Sequence, residues 1–165
     1  MAKLLVTGMS GTGKSSALAV LATHGHRVVD ADSAFWSVAA LDASGEDDWI
    51  WREDLMARLL DEHREGHLFV AGCATNQGRF YPRFDHVVLL AAPGPVLMER
   101  VARRTNNPYG KTPEERALIL RYLREVEPLL RQTCTAEINT SAPLAEVVRR
   151  LEAIADGPPP SPRQG

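Results

Sequence analysis

One segment near the N-terminus has the residue types and spacing of a phosphate-binding loop. It reads Gly8-Met9-Ser10-Gly11-Thr12-Gly13-Lys14-Ser15 and lies between an apolar run and an amphipathic stretch. Glycines let successive backbone N–H groups turn toward phosphate oxygens, beside the positive end of the following helix. In such a loop Lys14 reaches the β- and γ-phosphates, and the Ser15 hydroxyl coordinates Mg²⁺. The pattern predicts that this segment and Ser16 bind ATP or GTP; the alternative is a glycine-rich turn that matches by chance.

A pair of carboxylates follows the second apolar run. The segment Arg27 to Asp30 reads as a buried strand; Asp30 is its last residue, and Asp32 follows two residues later. The carboxyl end of a strand next to the phosphate-loop strand is where a doubly wound sheet presents reactive groups. A hydroxyl that attacks a γ-phosphoryl group needs a carboxylate to orient it and accept its proton. Alternatively, the two acids only stabilise a turn before Ser33.

Short apolar runs alternate with helical stretches, which indicates an α/β fold, a doubly wound parallel sheet with helices on both faces. The predicted strands are Lys3 to Thr7, Arg27 to Asp30, Leu68 to Ala71, His86 to Ala91 and Ala136 to Asn139. The predicted helices cover Lys14 to Thr23, Trp49 to Glu65, Pro95 to Arg104, a long stretch from Thr112 broken near Pro128, and Pro143 to Ala155. Between them, Ser33 to Asp48 is expected to be irregular and Gly72 to Asp85 to be a functional loop.

Length and charge limit the possible functions. The 165 residues suffice for one domain, which we expect to span residues 1–156, followed by a disordered proline-rich tail, 157–165. The formal charge of −2 offers no general attraction for nucleic acid or anionic lipid. The N-terminal apolar run is too short for a signal or membrane segment, so we expect a cytoplasmic protein, monomeric or homodimeric.

Taken together, these features resemble the small P-loop kinases of the nucleoside-monophosphate-kinase-like group, such as shikimate kinase, gluconate kinase and adenylate kinase. The resemblance extends over about residues 3–155. It implies the strand order 2-3-1-4-5 and phosphoryl transfer from ATP, with Mg²⁺, to a small molecule. By position, it implies that Asp32 contacts the acceptor hydroxyl as the candidate base and that Asp30 belongs to the shell of Mg²⁺.

The resemblance also assigns roles to a group of arginines. Arg100 would stack on the adenine, and Arg104, or Arg103 in its place, would contact the transferring phosphate. Residues 105–111 would form a short lid hinged at Gly110, with Lys111 able to swing toward phosphate. For each arginine, the alternative is a solvated basic helix end.

A loop before the last helix resembles the adenine-contacting loop of this group. It contains Ser141 and Ala142, although Ser141 also suits an ordinary helix N-cap. The third strand departs from the group, because it ends in Gly72-Cys73-Ala74 without an acidic Walker B residue.

The acceptor pocket is expected to use Trp36, Gly72, Arg79 and Arg83 in addition to Asp32. Tryptophan can stack on a ring, and the two arginines could hold an anionic acceptor or form surface ion pairs. Trp51 is in helical register with Leu55 and is expected to pack in the core.

The predicted function is therefore transfer of phosphate from ATP to a small-molecule hydroxyl. Two alternatives stay open: transfer to a phosphate acceptor, as in nucleoside monophosphate kinases, and a non-catalytic nucleotide-binding switch.

Overall fold

The computed structural model of the chain describes residues 1–105 and 107–160. Asn106 of the predicted lid and residues 161–165 of the predicted tail lie outside the described residues.

A parallel sheet forms the centre of the molecule. Its strands are β1 (Lys3–Thr7), β2 (Arg27–Asp30), β5 (Leu68–Ala71), β6 (His86–Ala91) and β7 (Ala136–Asn139). They lie in the order β2-β5-β1-β6-β7. If these five strands alone are numbered along the chain, the order is 2-3-1-4-5, so the predicted order is confirmed. Their bounds are also those predicted, because β5 and β6 are uninterrupted runs of buried side chains.

Helices cover both faces of this sheet. They are α1 (Lys14–Thr23), α2 (Glu53–Glu62), α3 (Gly94–Arg103), α4 (Pro113–Glu125), α5 (Glu127–Thr133) and α6 (Leu144–Asp156). One face carries α1 and α6, whose Leu21 and Leu151 are fully buried with Leu4 of β1. The other face buries Leu60 of α2 and Leu97 of α3 against Leu5. No helix among the described residues is both long and apolar enough to cross a membrane.

The segment between β2 and α2 differs from its prediction. It contains an antiparallel hairpin of β3 (Ser37–Leu41) and β4 (Asp47–Trp51), not an irregular stretch. The Asp42 carboxylate stabilises the turn by accepting hydrogen bonds from the backbone of Ser44 and Glu46, and Gly45 adopts φ 84°. The predicted helix start at Trp49 is therefore wrong, because Trp49 and Trp51 belong to β4.

The capping and break signals of the long helical region are confirmed in part. The Thr112 hydroxyl accepts a hydrogen bond from Glu115 N at 3.2 Å, as a capping box requires. The Glu115 carboxylate bonds to Gly110 N instead of the backbone of Thr112. Helix α4 ends at Glu125, and Pro128 lies in the first turn of α5, where its missing N–H leaves no partner unsatisfied.

Candidate active site

The phosphate loop opens into a cleft of about 1260 Å³ at the carboxyl ends of the strands. Asp30 ends β2, Cys73 comes after β5, and Thr140 comes after β7. All three line the cleft. Ligands of doubly wound sheets bind at this edge, where loops from neighbouring strands diverge. The cleft is therefore the candidate active site.

The loop between β1 and α1 owes its conformation to glycine. Gly8, Gly11 and Gly13 have φ values of 150°, 87° and 95°, which side chains other than hydrogen rarely tolerate. At Gly8 an added Cβ would also lie 2.3 Å from the carbonyl oxygen of Leu90 on β6. The Thr12 hydroxyl closes the turn by donating to Met9 O at 2.9 Å. All the predicted phosphate-loop residues, 8–16, line the cleft.

Lys14 lies folded over this loop. Its Nζ donates to Gly8 O at 2.5 Å and to Met9 O at 3.0 Å. Burial lowers the pKa of Lys14, and the nearby Cys73, Asp32 and Asp30 oppose that shift. A buried and desolvated cation is stabilised most by a nearby anion, which suits a phosphate-binding role.

Asp32 is fixed by N–H donors from two distant parts of the chain. Its Oδ1 accepts from Trp51 Nε1 at 3.1 Å and from Cys73 N at 3.2 Å, and its Oδ2 accepts from Cys73 N at 2.9 Å. Gly72 makes this arrangement possible, since a Cβ there would lie 2.8 Å from Trp51 and 2.9 Å from Asp32 Oδ1. Gly72 is predicted to contact substrate, but it does not line the cleft and instead leaves room for these two side chains.

The sequence-based prediction placed Trp51 in the wrong secondary-structure element. This tryptophan is not in helical register with Leu55; it ends β4, is fully buried, and directs its indole N–H at Asp32. The Asn76 side chain holds the backbone of Trp51 through bonds of 3.0 Å to its N and 2.9 Å to its O. The hairpin is thereby joined to the loop after β5, and both contribute to the position of Asp32.

Asp30 lies beside Asp32 on the same wall. Its Oδ1 accepts a hydrogen bond from Asp32 N at 3.1 Å. Desolvation in the cleft raises the pKa of Asp30, and this hydrogen bond partly opposes the rise. Among residues 1–105 and 107–160, no three His, Cys, Asp or Glu side chains are grouped so that they could hold a metal ion. A Mg²⁺ ion bound by Ser15 and Asp30 would therefore take its other ligands from phosphate and water, as is usual for this ion.

Arg100 connects α3 to the loop after β7. Its guanidinium donates to Thr140 Oγ1 at 3.0 Å, to Thr140 O and to Gly11 O at 3.4 Å. This network holds the planar group in the wall of the cleft, which Ala142 also lines. Thr140 is buried and is the first residue of the loop that was predicted to contact adenine.

Arg103 and Arg104 have different surroundings. Arg103 is exposed and pairs with Glu99 at 2.9 Å, one helical turn away. Arg104 donates to Tyr109 O at 2.6 Å, while its Nε is buried without a partner among the described residues. Burial lowers the pKa of Arg104. An unsatisfied donor of this kind favours Arg104 as the residue that awaits a phosphate oxygen.

The end of the predicted lid is fixed in place. Lys111 Nζ donates to the carbonyl oxygens of Val101, Ala102 and Arg104 at 2.6, 2.6 and 2.8 Å, so it caps α3 and does not face the cleft. Gly110 is buried, and a Cβ there would lie 2.1 Å from Val101 Cγ1. Close packing explains this glycine better than a free hinge, and a swing of Lys111 would break three hydrogen bonds.

The loop before α6 matches its prediction only in part. Ala142 lines the cleft, whereas Ser141 does not. Helix α6 has Pro143 at its N-cap, and no side chain caps it, so the expectation that Ser141 is an N-cap is wrong. The backbone N–H of Ser141 donates instead to Asn139 Oδ1 at 2.9 Å.

Besides Gly72, three further predicted acceptor residues do not line the cleft. Arg79 pairs with Glu53 at 3.1 Å and Arg83 pairs with Asp61, both on the outer surface of α2. Trp36 packs against the core and makes an edge-on ring contact with Phe35.

The hairpin instead brings Asp48 and Trp49 into the lining of the cleft, and Asp48 was not among the residues predicted for the site. The sequence signal for this strand was the run of aromatic and β-branched residues Trp49, Ile50 and Trp51 beside a turn at 42–45.

Comparison with known proteins gives the same architecture. A family model described as AAA domain matches residues 4–121. No curated protein sequence matches the chain.

Several solved structures share the fold. The shikimate kinase from Acinetobacter baumannii in complex with shikimate has a TM-score of 0.63 at 19% identity, over 93% of this chain and 92% of that one. The shikimate kinase from Bacteroides thetaiotaomicron has a TM-score of 0.65 at 17% identity, over 93% and 97%. A gluconokinase from Sinorhizobium meliloti 1021 has a TM-score of 0.58 at 20% identity, over 94% of each chain. The predicted resemblance to small P-loop kinases is confirmed for the fold.

Proposed function

We propose that this chain, which belongs to the AAA domain family, transfers the γ-phosphoryl group of ATP to the hydroxyl of a small molecule. One observation carries the proposal: the fixed carboxylate of Asp32 and the ammonium of Lys14 line the same cleft. A protein that only binds nucleotide needs the lysine but has no use for a rigidly held carboxylate opposite it.

The residues of the cleft can divide the reaction between them. The acceptor oxygen attacks the γ-phosphorus, the bond to the ADP oxygen breaks, and the acceptor proton passes to Asp32. Asp32 Oδ2 accepts one N–H, whereas Oδ1 accepts two, so Oδ2 is the freer atom for this proton. Lys14, Arg104 and the loop N–H groups stabilise the charge on the transferring group.

Mg²⁺ fits this site through Ser15 and Asp30, and when bound it would neutralise charge on the β- and γ-phosphates. Arg100 would provide a flat surface for the adenine, with Ala142 beside it. The proposal includes ATP as the donor, a single domain of residues 1–156 and a cytoplasmic location.

A different function is favoured by Cys73. Its thiol lies near Lys14, at the end of the strand where many P-loop enzymes have an acid, and burial raises the pKa of this thiol. A neutral group there would suit a switch that binds nucleotide and transfers nothing.

Product analysis distinguishes the two functions. The protein is incubated with ATP, Mg²⁺ and a library of small hydroxyl compounds, and phosphorylated products are sought by mass spectrometry, with Lys14→Ala as the inactive control. We expect a product that requires both the protein and ATP. Tight ATP binding without any product would support the switch.

A further inference from the structure

The two flanks of the cleft carry opposite charge. On the flank of β6 and β7, the lining includes Arg100, Arg103 and Arg104, together with Glu99, which pairs with Arg103, so this flank keeps a net positive charge. On the flank of β2 and β5, which also carries the hairpin, the charged side chains among the described lining residues are Asp30, Asp32 and Asp48. Lys14 lies between them on the phosphate loop, where a bound triphosphate would engage it. We call the β2–β5–hairpin side the acceptor flank.

Among the described lining residues of the acceptor flank, no cationic side chain neutralises this charge, and Lys14 of the phosphate loop is the cation that acts on Asp30 and Asp32. Neither Asp32 nor Asp48 forms an ion pair within the described residues, since their partners are N–H and hydroxyl groups. Arg52, which directly follows β4, donates to Phe35 O at 3.4 Å, and Arg79 and Arg83 are held on the outer surface by Glu53 and Asp61. None of these three arginines lines the cleft. An anionic acceptor would therefore meet carboxylates without a compensating cation, and juxtaposed like charges discriminate strongly against a ligand.

The hairpin also supplies a surface for the acceptor. Asp48 is held by a 2.6 Å hydrogen bond from the Thr75 hydroxyl. Trp49 lies beside it with 47% of its surface exposed, and its indole N–H donates to Asp32 O at 3.3 Å. An indole that is held by a hydrogen bond from its N–H and is partly exposed to solvent can pack against a ring or a cationic group.

From this distribution of charge, and on the basis of the proposed function, we infer that the acceptor is a hydroxyl compound without an acidic group. Its hydroxyl lies at Asp32 and its remaining surface packs on Trp49. Carboxylates, such as the shikimate bound to the enzyme of similar fold, and phosphate esters are excluded by Asp48 and Asp32.

The first test uses pairs of compounds that differ in an acidic group. Shikimate is compared with its methyl ester, gluconate with glucitol, and a nucleoside monophosphate with its nucleoside, within a wider library of anionic, neutral and cationic alcohols. Each compound is assayed for phosphorylated product, and for binding to the protein saturated with a non-hydrolysable ATP analogue, read by Trp fluorescence. We expect the compounds without an acidic group to be preferred by at least about tenfold in kcat/KM or in affinity.

The second test changes the charge on the hairpin. Asp48→Arg is expected to shift the preference toward the anionic member of a pair by about tenfold, and Asp48→Asn by less. Asp47→Arg is the matched control, because Asp47 is the neighbouring carboxylate on β4 but does not line the cleft. Its preference should equal that of the wild type. Equal shifts for Asp48→Arg and Asp47→Arg would overturn the role of Asp48.

The outcomes separate this inference from the proposed function. Phosphorylation of a carboxylate or phosphate ester in preference to its uncharged partner overturns the inference and leaves the kinase intact. Selective binding of compounds without an acidic group, with no product from any of them, supports the inference and overturns the kinase. Absence of both binding and product overturns both.

Discussion

The phosphate loop and the acceptor flank face each other across one cleft, but they are built in different ways. The loop acts through backbone N–H groups, and its geometry follows from glycines and a lysine within eight consecutive residues. On the acceptor flank, Asp32 depends on Trp51, which lies 19 residues away, and on Cys73, which lies 41 residues away. The geometry of the phosphate loop is therefore local in sequence, whereas the position of Asp32 depends on tertiary structure.

The largest effect is expected from Lys14 on the loop side. Lys14→Ala should lower turnover by at least roughly a hundredfold and weaken nucleotide binding, because a preorganised donor to the transferring phosphate is lost. Steady-state kinetics and calorimetry with ATP measure both.

Lys111→Ala is the matched control for Lys14→Ala, since it removes the same charge from a lysine that caps α3. Its turnover should stay close to that of the wild type. An equal loss in the two variants would mean that Lys111 does reach the phosphates.

The corresponding change on the acceptor flank should separate binding from chemistry. Asp32→Asn should lower turnover by roughly a hundredfold, the usual contribution of a general base. ATP affinity should stay within about threefold, under about 0.7 kcal/mol, because the carboxylate serves the acceptor.

Asp30→Asn gives the complementary result, since a ligand of Mg²⁺ should affect MgATP affinity more than Asp32 does. If the two variants exchange these effects, Asp32 is the metal residue and the base lies elsewhere.

The role of the hairpin can be tested at Trp51. Trp51→Phe keeps a ring in the core but removes the N–H that bonds to Asp32 at 3.1 Å. Loss of a hydrogen bond to a charged group is worth about 1.5–3 kcal/mol, so we expect turnover to fall by about tenfold or more with little change in ATP affinity. Trp36→Phe is the control, because Trp36 packs against the core but does not line the cleft. Similar kinetics for the two variants would mean that the indole N–H does not position Asp32.

The contrast between the flanks also explains how much could be predicted from the sequence. The five sheet strands and α1 were predicted with their bounds. The central strands β1, β5 and β6 are nearly continuous apolar runs, and the loop spacing defines the start of α1. The same spacing identified residues 8–16. These signals are local, so one sequence contains them in full.

The acceptor flank has no such local signal. Trp51 fits a helical period with Leu55 and also fits a strand, and only its pairing with Ser37 decides between them. The salt bridges of Arg79 and Arg83 to α2 could not be inferred either, because they depend on how α2 packs. Tertiary contacts between residues far apart in the chain decide these positions.

A smaller effect is expected in the lid predicted for residues 105–111. Nucleotide should slow amide exchange in residues 105–109 by about tenfold, because a lid must open to release product. Gly110 should exchange slowly in both states, since its N–H bonds to Glu115 Oε2 at 3.1 Å and the residue is buried. Hydrogen exchange with and without an ATP analogue measures this. Slow exchange throughout 105–109 in both states would indicate a fixed loop.

The smallest effects concern pH, and they should have opposite signs on the two sides of the cleft. In the folded state, burial lowers the pKa of Lys14 below its ordinary value of 10.5. Between that lowered value and the ordinary one, the unfolded chain binds more protons, so the free energy of unfolding rises with pH. Asp30 has a raised pKa. The folded state therefore binds more protons just above 3.8, the ordinary value, and the free energy of unfolding falls as pH rises through that range.

The contribution of each side chain to the free energy of unfolding is obtained by comparing the wild type with a variant in which that residue cannot titrate. Urea unfolding of wild type and Lys14→Met should give a difference that grows in favour of the wild type on the alkaline side, by at most about 1.4 kcal/mol per pH unit. Wild type against Asp30→Asn should give a difference that shrinks with rising pH on the acid side. A bound ATP analogue should abolish the alkaline slope, because phosphate restores the preference of Lys14 for its charged form. If the alkaline slope persisted in the presence of the analogue, the triphosphate would not lie against Lys14, and the assignment of the phosphate loop would be wrong.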